Sequence, residues 1–204
     1  LTSTGKDPLR VYINAGIHAG EVEGKDAMQL TMRELVQGKY PELRQALEIV
    51  TLPTYNADGA DAQEPLNRRY QPNPSSGVGP RENAFGIDLN RDMMKATAAN
   101  TRWMLAMYQD FQPAAVFDLH TTNGSYHGFH ITYEPAWATG GDAPLQALNR
   151  TMLTDVRAVM EKAGMPTYDY GNFRYNKEKQ IDAWESAFSS PNLVSNYPTL
   201  QYAL

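Results

Sequence analysis

Val11-Tyr12-Ile13-Asn14-Ala15-Gly16-Ile17-His18-Ala19-Gly20-Glu21 joins an apolar run, residues 11–17, to a polar, helix-like segment, and carries His18 and Glu21 in HxxE spacing at the junction. A short apolar run bounded by glycine reads as a buried strand. An imidazole and a carboxylate three residues apart at a strand end can turn toward one divalent cation. Two histidines, one glutamate and an open position form a ligand set of catalytic zinc. The pair by itself also fits a hydrogen-bonded loop histidine, so a third ligand is what decides.

The other histidines are His120, His127 and His130. His120 ends the run Ala114-Ala115-Val116-Phe117-Asp118-Leu119, again a buried strand reaching a loop. In open α/β sheets ligands bind outside the carboxyl ends of the strands, so ligands arriving from two strand ends suit that fold class. His127 and His130 sit in an aromatic HGFH loop, where ordinary hydrogen bonding is the simpler reading than a second metal site.

With 204 residues, 42% of them hydrophobic, the chain can bury one sizeable core, and a single domain over residues 1–204 is expected. A net charge of −5 and the lack of a basic run argue against nucleic acid as partner. Cysteine is absent, which excludes disulfides and thiolate ligands but leaves the redox compartment open. No apolar span is long enough for a membrane helix and no export leader is visible. Leu1 is not a methionine, so removal of a signal segment is compatible with the sequence.

Strand-like runs at residues 11–17, 48–55 and 114–119, with a weaker one at 128–133, alternate with helical periodicity. Met28, Met32, Leu35 and Val36 share one face, as do Met104, Met107, Tyr108 and Phe111, and these methionines are expected in the core. A third helix is expected over residues 143–162, with Asp142 as N-cap and Gly164 as its stop. The alternation predicts an α/β fold: a mixed, mostly parallel sheet flanked by helices on both faces. Residues 57–87 and 164–198 show little periodicity and read as long loops.

Phe85-Gly86-Ile87-Asp88-Leu89-Asn90-Arg91-Asp92 lies between the two ligand-bearing strands. HxxE, then Asn56-Ala57-Asp58-Gly59 after a strand, then GxDxNR, then Asp118-Leu119-His120, in this order, resembles the M14 family of zinc carboxypeptidases. The resemblance extends over essentially the whole chain. It implies one Zn2+ held by His18, Glu21 and His120. It also implies that Asn90 and Arg91 hold the terminal carboxylate of a substrate, a task suited to the planar fork of arginine. Asp88 matches the carboxylate that orients the first histidine and raises its basicity. A further arginine of the family polarises the scissile carbonyl. Arg81 is slightly favoured for that role, Arg69 and Arg68 also stand in the right loop, and each reads equally well as a solvated charge.

The family needs a glutamate on a later strand as general base toward the zinc-activated water. Glu134, Glu161, Glu178 and Glu185 do not read as following a strand-like run. The segment from Ser190 to Pro198 resembles the one leading into the strand that bears that glutamate, so a fragment ending before it, and truncated at both ends, is expected. The resemblance implies hydrolysis of peptides near a free C-terminus. Alternatives are an N-acyl amino acid deacylase of the aspartoacylase or succinylglutamate desuccinylase kind, or a noncatalytic peptide-binding module. Substrates are then a peptide or a small acyl-amino acid, and the family slightly favours a periplasmic or secreted location.

Overall fold

The structure, a computed structural model, describes residues 7–68, 74–121, 127–134 and 143–186. The chain forms two compact units, Leu1–Asn123 and Gly124–Leu204.

The first unit is built on three parallel strands, β1 (Leu9–Ala15), β2 (Leu47–Leu52) and β3 (Ala115–Leu119), in the order β2-β1-β3. Between β1 and β2 run α1 (Glu23–Val36) and α2 (Pro41–Ala46); between β2 and β3 run α3 (Ala57–Asp61), a 3-10 turn (Leu89–Arg91) and α4 (Ala99–Phe111). The chain thus leaves β1 toward one side and later returns to its other side. At such a reversal α/β sheets bind ligands outside the carboxyl ends of the strands, here those of β1 and β3.

β1 starts and stops two residues earlier than the apolar run suggested. Gly16 adopts φ +68° and turns the chain out of the sheet, yet Ile17 remains 1% exposed. Its apolarity therefore reports burial in the loop, not strand pairing. β2 likewise stops at Leu52, but Tyr55 and Asn56 donate their backbone N–H groups to the carbonyls of Ala15 and Gly16, at 3.0 and 2.9 Å. These bonds fasten the chain after β2 against the exit of β1.

Tyr12, Ala15, Leu89 and, on the predicted faces of α1 and α4, Met28, Leu35 and Met104 are buried, whereas Met32 and Met107 are half-buried and Val36 is exposed. α1 approaches β3 through Gly24: a Cβ there would stand 2.5 Å from the Leu119 carbonyl oxygen. α4 is led in by Asp92, whose carboxylate accepts from the backbone N–H of Thr97 at 3.0 Å and of Ala98 at 2.8 Å, and from the Thr97 hydroxyl. The stretch 57–87 is less irregular than it reads, because Asn56 caps α3 by accepting from Gly59 N–H at 3.0 Å.

In the second unit, β4 (Ile131–Tyr133) pairs in parallel with β5 (Thr167–Asp169), and β6 (Gly171–Tyr175) pairs antiparallel with β7 (Ile181–Ser186). α5 (Ala143–Lys162) has the expected bounds. Gly164 terminates it at φ +74°, with Met165 N–H bonded to Met160 O and Gly164 N–H to Glu161 O. Asp142 and residues 187–198 lie outside the described residues. The expectation of a long loop from residue 164 is corrected by β5, β6 and β7. These strands are only three to six residues long and lack strict alternation, so their pairing partner and not their own pattern defines them. No described helix is long and apolar enough to cross a membrane.

Candidate metal centre

β1 delivers His18 and Glu21 through the turn at Gly16, and β3 delivers His120 one residue beyond its end. One potential ligand atom from each of the three lies within 4.8 Å of the others. Among the described residues this is the one such group of histidine and carboxylate side chains. His18 is 2% and Glu21 4% exposed.

Hydrogen bonds orient each group. His18 Nε2 lies 3.2 Å from Asp88 Oδ1 and Nδ1 2.9 Å from Glu21 Oε1, so each ring nitrogen faces a carboxylate. Thr121 N–H donates to the other Glu21 oxygen at 3.2 Å. His120 Nδ1 lies 2.6 Å from Asp118 Oδ2, and Nε2 lies 3.3 Å from Asn90 Nδ2. Two imidazoles and a carboxylate, gathered within 4.8 Å, form a nitrogen and oxygen donor set that fits a divalent transition metal.

Charge in the cluster follows from these contacts. Burial pushes Glu21 up, but the hydrogen bond from His18 and the positive charge of His120, His18 and Arg68 outweigh it and hold the carboxyl down at about 2. Burial also opposes ionisation of Asp88, and the bonds from His18 and Arg81 again win, holding it well below the usual carboxylate range. His120 is pushed down by burial and raised more strongly by Asp118, ending above its ordinary value. Both Glu21 and Asp88 are therefore anionic at neutral pH, as cation binding requires.

The arginines separate. Arg81 donates from Nε to Asp88 Oδ2 at 2.8 Å, and its Nη1 lies 3.5 Å from His18 Nδ1, beside the cluster. Buried Asn56 donates to the Glu82 carbonyl at 3.0 Å and steadies the loop that carries Arg81. Arg68 donates from Nη2 to Glu21 Oε1 at 2.8 Å. Arg91 is exposed and donates to the Asn90 carbonyl at 3.0 Å, on the same 3-10 turn that places Asn90 against His120. Asp88 shapes that turn by accepting from Asn90 N–H at 2.9 Å. Arg69 lies outside the described residues.

Glu134 directly follows β4 and Glu185 lies within β7, correcting the reading that no glutamate is strand-borne; Glu161 stays on α5 and Glu178 in the β6–β7 turn. His127 packs edge-on against Trp184, with ring centres 5.4 Å apart, and accepts from Phe129 N–H at 3.3 Å. Sequence reasoning singled out neither Arg68 as the partner of Glu21 nor Asp118 as the partner of His120. The two-residue spacing of Asp118 and His120 was a readable signal for the second pair. For the first there was none.

The fold and the cluster define an α/β protein with two histidines and a glutamate gathered at adjacent strand ends. The chain belongs to the zinc carboxypeptidase family, whose profile matches residues 2–110 and so includes His18, Glu21, Asp88, Asn90 and Arg91. Carboxypeptidase 2 of Trichophyton rubrum is 27% identical over 114 residues, which is 55% of this chain and 18% of the fungal protein. A metallo-carboxypeptidase from Burkholderia cenocepacia superposes with a TM-score of 0.61 at 18% identity, covering 83% of this chain and 42% of that one. One from Pseudomonas aeruginosa, solved with (2-guanidinoethylmercapto)succinic acid, gives 0.59 at 16% identity and covers 95% of this chain and 46% of its own. This chain thus spans less than half the length of these relatives.

Proposed function

We propose that the chain carries the zinc-binding core of a metallocarboxypeptidase that hydrolyses peptide bonds next to a free C-terminal carboxylate. The observation that carries this reading is the convergence of His18, Glu21 and His120 from the ends of β1 and β3. These three residues would hold one zinc ion, which supplies a Lewis acid for a carbonyl and for water activation.

The remaining roles belong to the protein's own side chains. Asp88 lies against Nε2 of His18 and fixes the orientation of that ring. Arg91, exposed on the 3-10 turn, together with Asn90, anchors the substrate carboxylate. Arg81, held beside His18 by Asp88, stabilises negative charge developing on the scissile carbonyl. Its placement supports Arg81 over the alternatives in the same loop. The Pseudomonas relative was solved with a ligand that combines a guanidino group and a succinic acid, which agrees with a pocket for carboxylates.

The test is zinc content measured together with hydrolysis of peptides with free and amidated C-termini, with and without chelator. Chelator-sensitive zinc at one ion per chain and cleavage restricted to free C-termini support the reading. Release of amino acids from small N-acyl substrates with no action on peptides replaces it by a deacylase. Stoichiometric zinc with negligible turnover assigns the chain to binding without a general base, and full activity sends the search for that base to Glu134 and Glu185.

A further inference from the structure

Resting on the zinc reading above, we propose that Asn56 is a positioning residue for Arg81: its buried amide fixes the backbone that carries that guanidinium to the side of His18.

Asn56 leads α3 and is 0% exposed. Its Oδ1 accepts from Gly59 N–H at 3.0 Å, while its Nδ2 donates to the carbonyl of Glu82 at 3.0 Å and to that of Arg81 at 3.5 Å. A backbone N–H only donates and a carbonyl only accepts, so the partners assign both ends of the amide. Capping α3 needs the oxygen alone, and serine does that as well. The NH2 end goes to the backbone of residues 81 and 82, and burying it without such a partner would be unfavourable.

The same residue is tied to the turn that delivers His18. Asn56 N–H donates to the Gly16 carbonyl at 2.9 Å. Three segments then close around Ala19, next to His18. A Cβ on Gly59 would stand 2.8 Å from the Ala19 Cβ; one on Gly79 would stand 2.7 Å from it and 2.3 Å from the Gly59 carbonyl oxygen. The turn after β1, α3 and the loop before Arg81 thus meet without room for a further atom, and Asn56 is bonded to all three.

Arg81 needs such a support. Its Nε donates to Asp88 Oδ2 at 2.8 Å, and its side chain stays 37% exposed, open to a substrate. A long flexible stem places a charge only as accurately as the backbone beneath it, and a misplacement of ~1 Å can cost on the order of 10²-fold in rate. Asp88 holds the guanidinium and Asn56 holds the backbone. Asn56 touches neither metal nor substrate in this scheme.

Asn56→Ser keeps an oxygen for Gly59 N–H but is too short to reach the carbonyls of residues 81 and 82. Asn56→Asp keeps the acceptor and removes the donor at nearly constant volume. In both, exchange of the Arg81 Nε–H with water, followed in nitrogen-15 spectra of the metal-free full chain, is expected to speed up several-fold, while the Arg10 Nε–H that is bonded to Glu48 is unchanged. The zinc-loaded variants should keep their metal affinity and bind a phosphonate dipeptide analogue, whose oxyanion mimics the attacked carbonyl, ~10-fold or more weakly. In an Arg81→Ala background Asn56→Ser should cost no further phosphonate affinity, because it acts through Arg81.

Unchanged Arg81 exchange in both variants overturns the positioning role. So does a full additional loss in the Arg81→Ala background, or zinc affinity that falls in step with phosphonate affinity. The Asn56 NH2 protons of the unmodified chain should exchange slowly, and rapid exchange there overturns the proposal without any variant. An unmodified chain that binds neither zinc nor phosphonate overturns the zinc reading, whereas slow Arg81 exchange that Asn56→Ser abolishes still supports the positioning role.

Discussion

Arg68 Nη2 lies 2.8 Å from Glu21 Oε1, so the buried carboxylate of the metal cluster has a cationic partner supplied by a loop 47 residues further along the chain. The guanidinium is itself largely buried, with 12% of its side chain exposed. In the metal-free protein it adds to the stabilisation of this carboxylate by His18, His120 and Thr121 N–H. Arg68→Met should destabilise the metal-free chain by about 1.5–3 kcal/mol, because it removes a charge-assisted hydrogen bond to the buried Glu21 carboxylate. Zinc can supply the missing positive charge. Its addition should raise the melting temperature of Arg68→Met more than that of the unmodified chain, as read by thermal denaturation with and without the metal.

Acid should undo the same cluster in a defined window. The Glu21 carboxyl is held at about 2 in the folded chain against an ordinary 4.5, so the stability it contributes is present above 4.5 and is lost as pH falls toward 2. Urea titrations of the metal-free protein from pH 6 downward should show a loss on the order of 3 kcal/mol across this window. Glu21→Gln should flatten the profile there. A profile unchanged by that substitution would mean that Glu21 is not the group responsible.

Asp92 stabilises the entry to α4 by accepting from Thr97 and Ala98 N–H. Asp92→Ala should cost about 1–3 kcal/mol, the loss when buried donors lose a charged acceptor, measured by urea unfolding at pH 7. The carboxyl sits below its ordinary 3.8 because these hydrogen bonds outweigh its burial, so its contribution holds above that value and declines in stronger acid.

Gly24 is where helix propensity and packing oppose each other. Alanine would favour α1 by up to about 1 kcal/mol. Its Cβ would also stand 2.5 Å from the Leu119 carbonyl oxygen and 2.6 Å from the Leu119 side chain. Backbone cannot rotate away, so the clash should dominate and Gly24→Ala should be destabilised by about 1–3 kcal/mol. Since His18 and Glu21 precede α1 and His120 follows Leu119, the same variant should also bind zinc more weakly, checked by chelator competition.

Much of this protein is legible from its residues. The apolar runs at β1 and β3 bring their own burial, and the turn signal at Gly16 stands beside His18, so the metal cluster could be read as two strand ends with ligands attached. The Asn90-Arg91 pair stood out only through its order with HxxE and Asp118-Leu119-His120, because an Asn-Arg in a turn by itself reads as a solvated charge. The second unit was less so. β6 and β7 gain their definition from pairing with each other, as Asn172 with Glu185 and Phe173 with Trp184, and a six-residue segment carries little of that in its own composition.

The amino-acid order by itself settled the residue types, the strand and helix rhythm of the first unit, and the candidate ligands His18, Glu21 and His120. Tertiary structure decided which charge meets which: that Arg68 serves Glu21, Arg81 serves Asp88, and Asp118, steadied by Asn14, serves His120. Periodicity is a local property enforced by the covalent geometry of the backbone, whereas a hydrogen bond between residues 104 positions apart exists only once β1 and β3 are in register.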